Sequence, residues 1–187
     1  MTQLMTEQGM VKVPAGTWKV DQTHSSVAFE VKHMMISTVR GRLSEYDGTL
    51  EAQEDPERST VTGWAAAASI DTGNADRDAH LRGPDFFDAD RHPRMSFVST
   101  RILHLEGGTY AVTGDLTIKG VTREVTVEAT VQGTGEDPWG NQRAGIAVRG
   151  SIDRTDFGLT WQSRVAGGGL LVGEEVGLLL DLSAVAS

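Results

Sequence analysis

The stretch Thr109 to Gln132, TYAVTGDLTIKGVTREVTVEATVQ, narrows the choice of folds more than any other part of the chain. It holds two runs of alternating polarity joined by Lys119-Gly120. In the first, Tyr110, Val112, Gly114, Leu116 and Ile118 share a face against Ala111, Thr113, Asp115 and Thr117. In the second, Val121, Val125, Val127, Ala129 and Val131 oppose Thr122, Glu124, Thr126, Glu128 and Thr130. Strand side chains point to alternate faces, so each run has a dry side and a wet side. A two-residue loop at Lys119-Gly120 sets Ile118 opposite Val121, Val112 opposite Val127 and Tyr110 opposite Ala129, and the dry sides coincide. The same register puts Arg123 among apolar positions and Asp115 opposite Glu124, a mildly unfavourable pair. Such a ribbon is not stable alone and needs cover from the rest of the chain.

The remaining sequence supplies further ribbons. Alternating runs are read at Thr17 to Val20 and at Ser26 to His33, where Val27, Phe29 and Val31 share a face. Others cover Val39 to Leu50, broken at Asp47-Gly48, and Thr60 to Ile70, with small residues from Ala65 to Ala68. Met95 to Leu103, with Met95, Phe97 and Ser99 on one side, follows. Ala144 to Asp153 is prolonged after a kink by Phe157 to Trp161, and Glu175 to Leu182 closes the chain. Residues 133–142 read as a loop.

One segment breaks the pattern. Asn74 is a good N-cap, Asp76 and Asp78 open the next turn, His80 and Arg82 close it, and Gly83 follows, which predicts a helix over 75–82. A further helical turn is expected after Pro84, carrying Phe86 and Phe87.

No alternation of strand and helix is present, which argues against a parallel sheet. About eight strands with short turns predict an all-β protein, an eight-stranded antiparallel barrel with a short helical insertion. One domain over 15–187, preceded by a flexible tail over 1–14, follows from the length and the pattern. The inward candidates Ala66, Ala68, Gly114, Ala129, Ala144 and Gly150 are small, which predicts a cavity along the axis rather than a filled core.

The totals exclude several functions. A net charge of -9 argues against a nucleic-acid partner and against charge-driven binding to anionic membranes. The absence of cysteine removes thiol nucleophiles and thiolate metal sites. The first residues, MTQLMTEQGMVKVPAG, carry no basic segment followed by an apolar run, and nothing approaches the ~20 apolar residues of a membrane span. The expectation is a cytoplasmic protein without integral membrane insertion. Asp21, His24 and Ser25 have the residue types of a nucleophilic triad, but neighbours in one turn cannot take up its geometry. His24, His33, His80 and His92 lack the spacing of a metal site. No catalytic residue, metal ligand or cofactor is therefore assigned. Asp71, Arg77, Asp78, His80 and Arg82 are expected to form a hydrogen-bonded plug fixing the helical insertion across one barrel end, with a lipid head group as their alternative partner.

With these residues laid out, the sequence resembles the YceI-like family of lipid-binding proteins. The resemblance is carried by Trp18-Lys19-Val20-Asp21 with His24-Ser25, by Phe29-Glu30-Val31-Lys32-His33, and by Val39-Arg40-Gly41. It continues through Ser69-Ile70-Asp71-Thr72-Gly73-Asn74 into Arg77-Asp78-Ala79-His80-Leu81, then Asp85-Phe86-Phe87-Asp88, Pro93 and Phe97-Val98-Ser99-Thr100. Gly114 to Thr122, Arg154-Thr155-Asp156-Phe157-Gly158-Leu159 and Glu175-Val176 complete it, in order over Thr17 to Leu182. The resemblance implies a lipocalin-like barrel around an apolar tunnel that holds a polyisoprenoid, an isoprenoid quinone or a similar lipid, and a homodimer; a sheet edge or Trp139 is the candidate contact, with a place at the cavity mouth as the other reading of Trp139. Many family members carry a signal peptide, from which this N-terminus departs.

The expected ligand-binding set is Phe29, Val31, Met34, Ile36, Phe87, Phe97, Val112, Leu116, Ile118, Val127, Ile146, Val148, Phe157, Leu171, Leu178 and Leu180. Val165 to Val172, with three glycines and Leu170-Leu171 at its tip, is the candidate lid. Storage or transport of the lipid without chemistry is the first expectation. An enzyme acting on such a lipid in the same cavity is the second, and a solid scaffold for dimerisation is the third.

Overall fold

The computed structural model describes Thr6, Glu7 and residues 10–187. Its strands are β1 (Gly16–Val20), β2 (Ser26–His33), β3 (Ser37–Leu43), β4 (Tyr46–Ala52), β5 (Thr60–Ala66), β6 (Ile70–Asp71), β7 (Arg94–Glu106), β8 (Thr109–Ile118), β9 (Val121–Glu136), β10 (Gln142–Asp153) and β11 (Val172–Ala186). Helix α1 (Ala75–Arg82) lies between β6 and β7. All pairings are antiparallel, in the order β10-β9-β8-β7-β5-β4-β1-β11-β2-β3-β6, and β10 also pairs with β11. That last pairing closes a ring of eight. β1 and β2 are two halves of one barrel strand, both laid along β11. β3 with β4, and β5 with β6, divide in the same way. The fold is an eight-stranded antiparallel barrel with one helix.

The β8–β9 hairpin has the expected register throughout, from Ile118 opposite Val121 to Thr109 opposite Thr130, with Asp115 facing Glu124. Lys119 and Gly120 both have positive φ, 51° and 74°, the backbone that a two-residue turn between right-twisted strands demands. On its wet side, threonines pair across the strands: Thr113 with Thr126 at 2.8 Å and Thr117 with Thr122 at 2.7 Å. Helix α1 occupies the expected residues. Asn74 Oδ1 accepts the Arg77 amide at 2.9 Å, and Gly83 is the C-cap.

Several boundaries differ, each for a local reason. Residues 133–142 are mostly strand: Gly133 and Gly135 pair with Gly145 and Arg143, and only Asp137 to Asn141 turn. Asp47-Gly48 lies within β4, its Asp47 carboxylate accepting the Gly48 amide, and the break comes earlier, at Ser44-Glu45. After Asp153 the chain enters a 3-10 turn, Arg154–Phe157, capped by the Asp153 carboxylate and ended by Gly158 at φ 76°, so Phe157 to Trp161 do not extend β10. Pro84 begins hydrogen-bonded turns that fold back on Gly83 rather than a second helix.

Of the expected tail, residues 1–5 and 8–9 lie outside the described residues. Thr6–Glu7 pairs with Met10–Val11. The Val11 amide donates to Gly107 O at 2.8 Å, and Val13 is buried. Residues 11–14 thus lie across the barrel end formed by Trp18, Ala52, Ala144 and Ala184.

Candidate functional site

Three apolar clusters succeed one another along the barrel. At one end Val13, Trp18, Ala52, Ala144 and Ala184 are buried together. In the middle, Ile102, Tyr110 and Val112 pack with Val61, Phe97, Val127, Ala129 and Val131. At the other end Phe86, Ile118, Phe157 and Leu159 are buried, with Leu81, Phe87, Met95, Val125, Ile152 and Trp161 against them. The space between them is a cavity of about 360 Å³ whose wall draws on all three clusters. Asp47, the charged residue that touches it, is exposed and pairs with Trp64 on the outer face.

Of the expected ligand-binding residues, Phe97, Val112, Leu116, Ile118, Val127, Ile146, Val148, Leu178 and Leu180 line this cavity. The structure brings these nine together. Phe29 and Val31 face the same side as Leu178 and Val176 but lie outside the wall, and the Phe29 ring rests on Gly41. Phe87 and Phe157 belong to the cluster that plugs the barrel end; Phe157 is 1% exposed and has no face on the cavity. Met34 and Ile36 stand at the tip of the β2–β3 hairpin, where Ile36 is 80% exposed. Leu171 is beside that tip, its carbonyl accepting the Met34 amide at 2.9 Å. The glycine-rich loop after Val165 likewise contributes nothing to the cavity wall.

Sequence reasoning missed other wall residues, chiefly Trp18, Val20, Leu43, Tyr46, Leu50, Val61 and Ile102. Ile102 was hidden by a bulge. The β7–β8 register shifts where Ser99 meets Gly114, which reverses the alternation and turns Ile102 inward. Ser99 Oγ accepts the Val61 amide at 2.8 Å at that point.

The small residues that line the space are not the ones expected either. Among the six inward candidates only Ala129 is on the wall. A Cβ on Gly114 would lie 2.5 Å from Phe97 Cζ, and one on Gly150 would lie 2.8 Å from Val127 Cγ1, so neighbours fill both positions. Ala144 is buried in the end cluster. Ala66 lies on the outer face, opposite to Ala65, and Ala68 is exposed on the 3-10 turn Ala67–Ser69. Gly48, Gly63, Ala52, Ala65, Ala129 and Ala184 are the glycines and alanines on the wall.

The barrel ends are held by hydrogen bonds. The expected plug network is present: Asp78 accepts the Thr72 amide and hydroxyl, Arg77 donates to Thr72, and Arg82 donates to the carbonyls of Ala68 and Ile70. Asp71 receives Arg42, and His80 donates to Asp85 at 2.9 Å while its ring stands edge-on to Phe86 and Trp161. The Gly73 amide and then Arg42 hold Asp71 below the ordinary carboxylate range. Buried Arg154 donates to four carbonyls, those of Leu159, Trp161, Val172 and Gly173, and so ties the plug to β11. Burial lowers its pKa.

Outside the opposite end, Arg143 bridges Asp21 at 2.7 Å and Asp137 at 2.8 Å. His24 and then Arg143 hold Asp21 far below the ordinary range; the Asn141 amide, with Arg143, does the same for Asp137. Asp137 also organises the turn that leaves Trp139 81% exposed. Among the described residues no three His, Asp or Glu side chains are grouped to hold a metal ion. No helix among them is long and apolar enough to cross a membrane.

The model of the YceI-like domain matches residues 18–184, both barrel ends included. The chain belongs to the YceI-like family. It is 38% identical over 148 residues to Protein YceI of Shigella flexneri, covering 78% of this chain and 77% of that protein. Protein YceI of Salmonella newport is 38% identical over 149 residues, 78% of each chain. Among solved structures, BcnA of Burkholderia cenocepacia superposes with a TM-score of 0.77 at 27% identity, over 88% of this chain and 98% of that one. The Campylobacter jejuni YceI protein does so with a TM-score of 0.72 at 26% identity, over 83% and 90%. A polyisoprenoid binding domain from Saccharophagus degradans, 15% identical with a TM-score of 0.69, shares the fold.

Proposed function

We propose that this YceI-like protein binds a long apolar lipid, a polyisoprenoid or isoprenoid quinone, in its barrel cavity, and stores or carries it without chemical change. The observation that carries this reading is the cavity of about 360 Å³ walled by aliphatic and aromatic residues from every barrel strand. Removing hydrocarbon from water supplies the affinity, at about 0.8 kcal/mol per methylene buried, and requires no charged anchor. Membership in the family supports it, as does the same barrel in a domain described as polyisoprenoid binding. Trp18 lies on the cavity wall and gives the test an internal probe. Titration with a short-chain ubiquinone should quench Trp18 emission, and Trp18→Phe should remove most of that quenching while binding persists. Solvent extraction of the purified protein followed by mass spectrometry should recover an apolar lipid in unaltered form. No lipid on extraction, together with no uptake of added quinone or polyprenol, overturns the proposal.

A further inference from the structure

Tyr46 lies on the inward face of β4, opposite Ala65 of β5, and Ala65 in turn pairs with Met95 beside the plug. Its ring lines the cavity, and the residue is only 6% exposed. Its carbonyl accepts Gln22 Nε2, but among the described residues its hydroxyl has no hydrogen-bond partner. No fully sealed side-chain polar atom there lacks a partner, so this hydroxyl opens onto space that another molecule can reach. Two other polar-tipped rings of the wall are engaged. Trp18 Nε1 donates to Pro14 O, and Tyr110 Oη donates to Val11 O, each at 2.8 Å.

A hydroxyl taken out of water without a partner is unfavourable, and phenylalanine would fill the same space without that cost. We infer that Tyr46 is the polar anchor of the cavity: its hydroxyl donates to an oxygen of the bound lipid, a quinone carbonyl or a prenol hydroxyl. The guest is therefore an oxygen-bearing lipid rather than a bare hydrocarbon. Burial, and after it the negative charge of Asp21, raise the pKa of the phenol, which keeps it a neutral donor. This inference rests on the lipid-binding reading and adds the chemistry of the head.

The test compares wild type with Tyr46→Phe, using three ligands of matched length: a short-chain benzoquinone, a prenol and a saturated hydrocarbon. The variant should lose about 2- to 12-fold in affinity for the oxygenated ligand, the range for one neutral hydrogen bond, and nothing for the hydrocarbon. A loss confined to the quinone assigns a carbonyl, and one confined to the prenol assigns a hydroxyl. With bound quinone, the infrared carbonyl band should move to higher frequency in the variant. Tyr110→Phe is the control, because its hydroxyl is held by Val11, and it should leave the ratio of oxygenated to hydrocarbon affinity unchanged. Equal losses for all three ligands, or none for the oxygenated pair, overturn the inference. Wild type that takes hydrocarbon as readily as quinone overturns it and leaves the cavity reading standing; wild type that takes nothing overturns both.

Discussion

Ala129 offers the most direct way to ask whether the bore is where a lipid sits. It faces inward between Tyr110 and Val148, lines the cavity, and is one of the few small residues there. A carbon group takes up roughly 30 Å³ in the condensed phase, so three carbons added to the wall take a sizeable part of a cavity of about 360 Å³. Ala129→Leu adds three carbons to the wall and displaces about three such groups of guest. At about 0.8 kcal/mol each, the lost transfer free energy is roughly 2.4 kcal/mol, or about 50-fold in Kd. The unliganded barrel should keep or slightly raise its stability, because the new side chain occupies space that was open and leaves close-packed atoms undisturbed. Displacement of a fluorescent hydrophobic probe by a twelve-carbon alcohol measures the first quantity, and urea denaturation of lipid-free protein the second. Unchanged affinity in a stably folded variant would refute the reasoning, because a guest indifferent to the width of the bore is bound elsewhere. A large loss of stability would refute it differently, by showing that the space is already filled.

The bore also sets a chain-length rule: affinity for n-alkanols should rise about fourfold per methylene until the chain outgrows the cavity and flatten beyond, as calorimetry would show. A continued rise would mean that the plug opens. Acid should test the outer bridge. Asp21 and Asp137 have depressed folded-state pKa values, so their stabilisation is in place above the ordinary carboxylate range near 4 and is lost as pH falls toward the folded values. Arg143→Met should flatten the fall in urea midpoint between pH 5 and pH 2, and parallel curves would count against the bridge. Arg154→Leu leaves the carbonyls of Leu159, Trp161 and Gly173 without their arginine partner, and should cost about 3 kcal/mol in chemical denaturation. A cost below about 1 kcal/mol would show that water replaces the guanidinium there.

What could be read in advance follows from how locally each feature is encoded. The β8–β9 hairpin is specified by its own residues: the alternation fixes the faces, and Lys119-Gly120 fixes the turn. Helix α1 is likewise bounded by side chains that act on their own backbone, Asn74 at the start and Gly83 at the end. Closure of the barrel was legible only as a consequence of strand number. The plug network was legible in its members but not in its partners, since Thr72 and the carbonyls of Ala68 and Ile70 announce themselves by no residue type.

The wall of the cavity was half legible, and the reason is parity. An inward assignment made by counting in twos survives only while the strand stays regular. It survives in β8, where Val112, Leu116 and Ile118 reach the cavity, and in β10 and β11, where Ile146, Val148, Leu178 and Leu180 do. It fails in β7, where the irregularity beside Ser99 reverses the count and brings in Ile102. It fails again where 3-10 turns interrupt the first and third barrel strands, at Gln22–His24 and Ala67–Ser69. Residue size misled in a second way. A glycine on the inner face widens a bore only if nothing leans into its place, and Phe97 and Val127 do lean over Gly114 and Gly150. Gly48 and Gly63, which pair with each other across β4 and β5 one alternation from Tyr46, are on the wall, but a Cβ there would still lie 3.2 Å from Val20 Cγ2 and 3.3 Å from the Asp47 carbonyl, respectively. A count of glycines on the inner face is therefore a poor guide to width, because width is set by what leans in from the neighbouring strands.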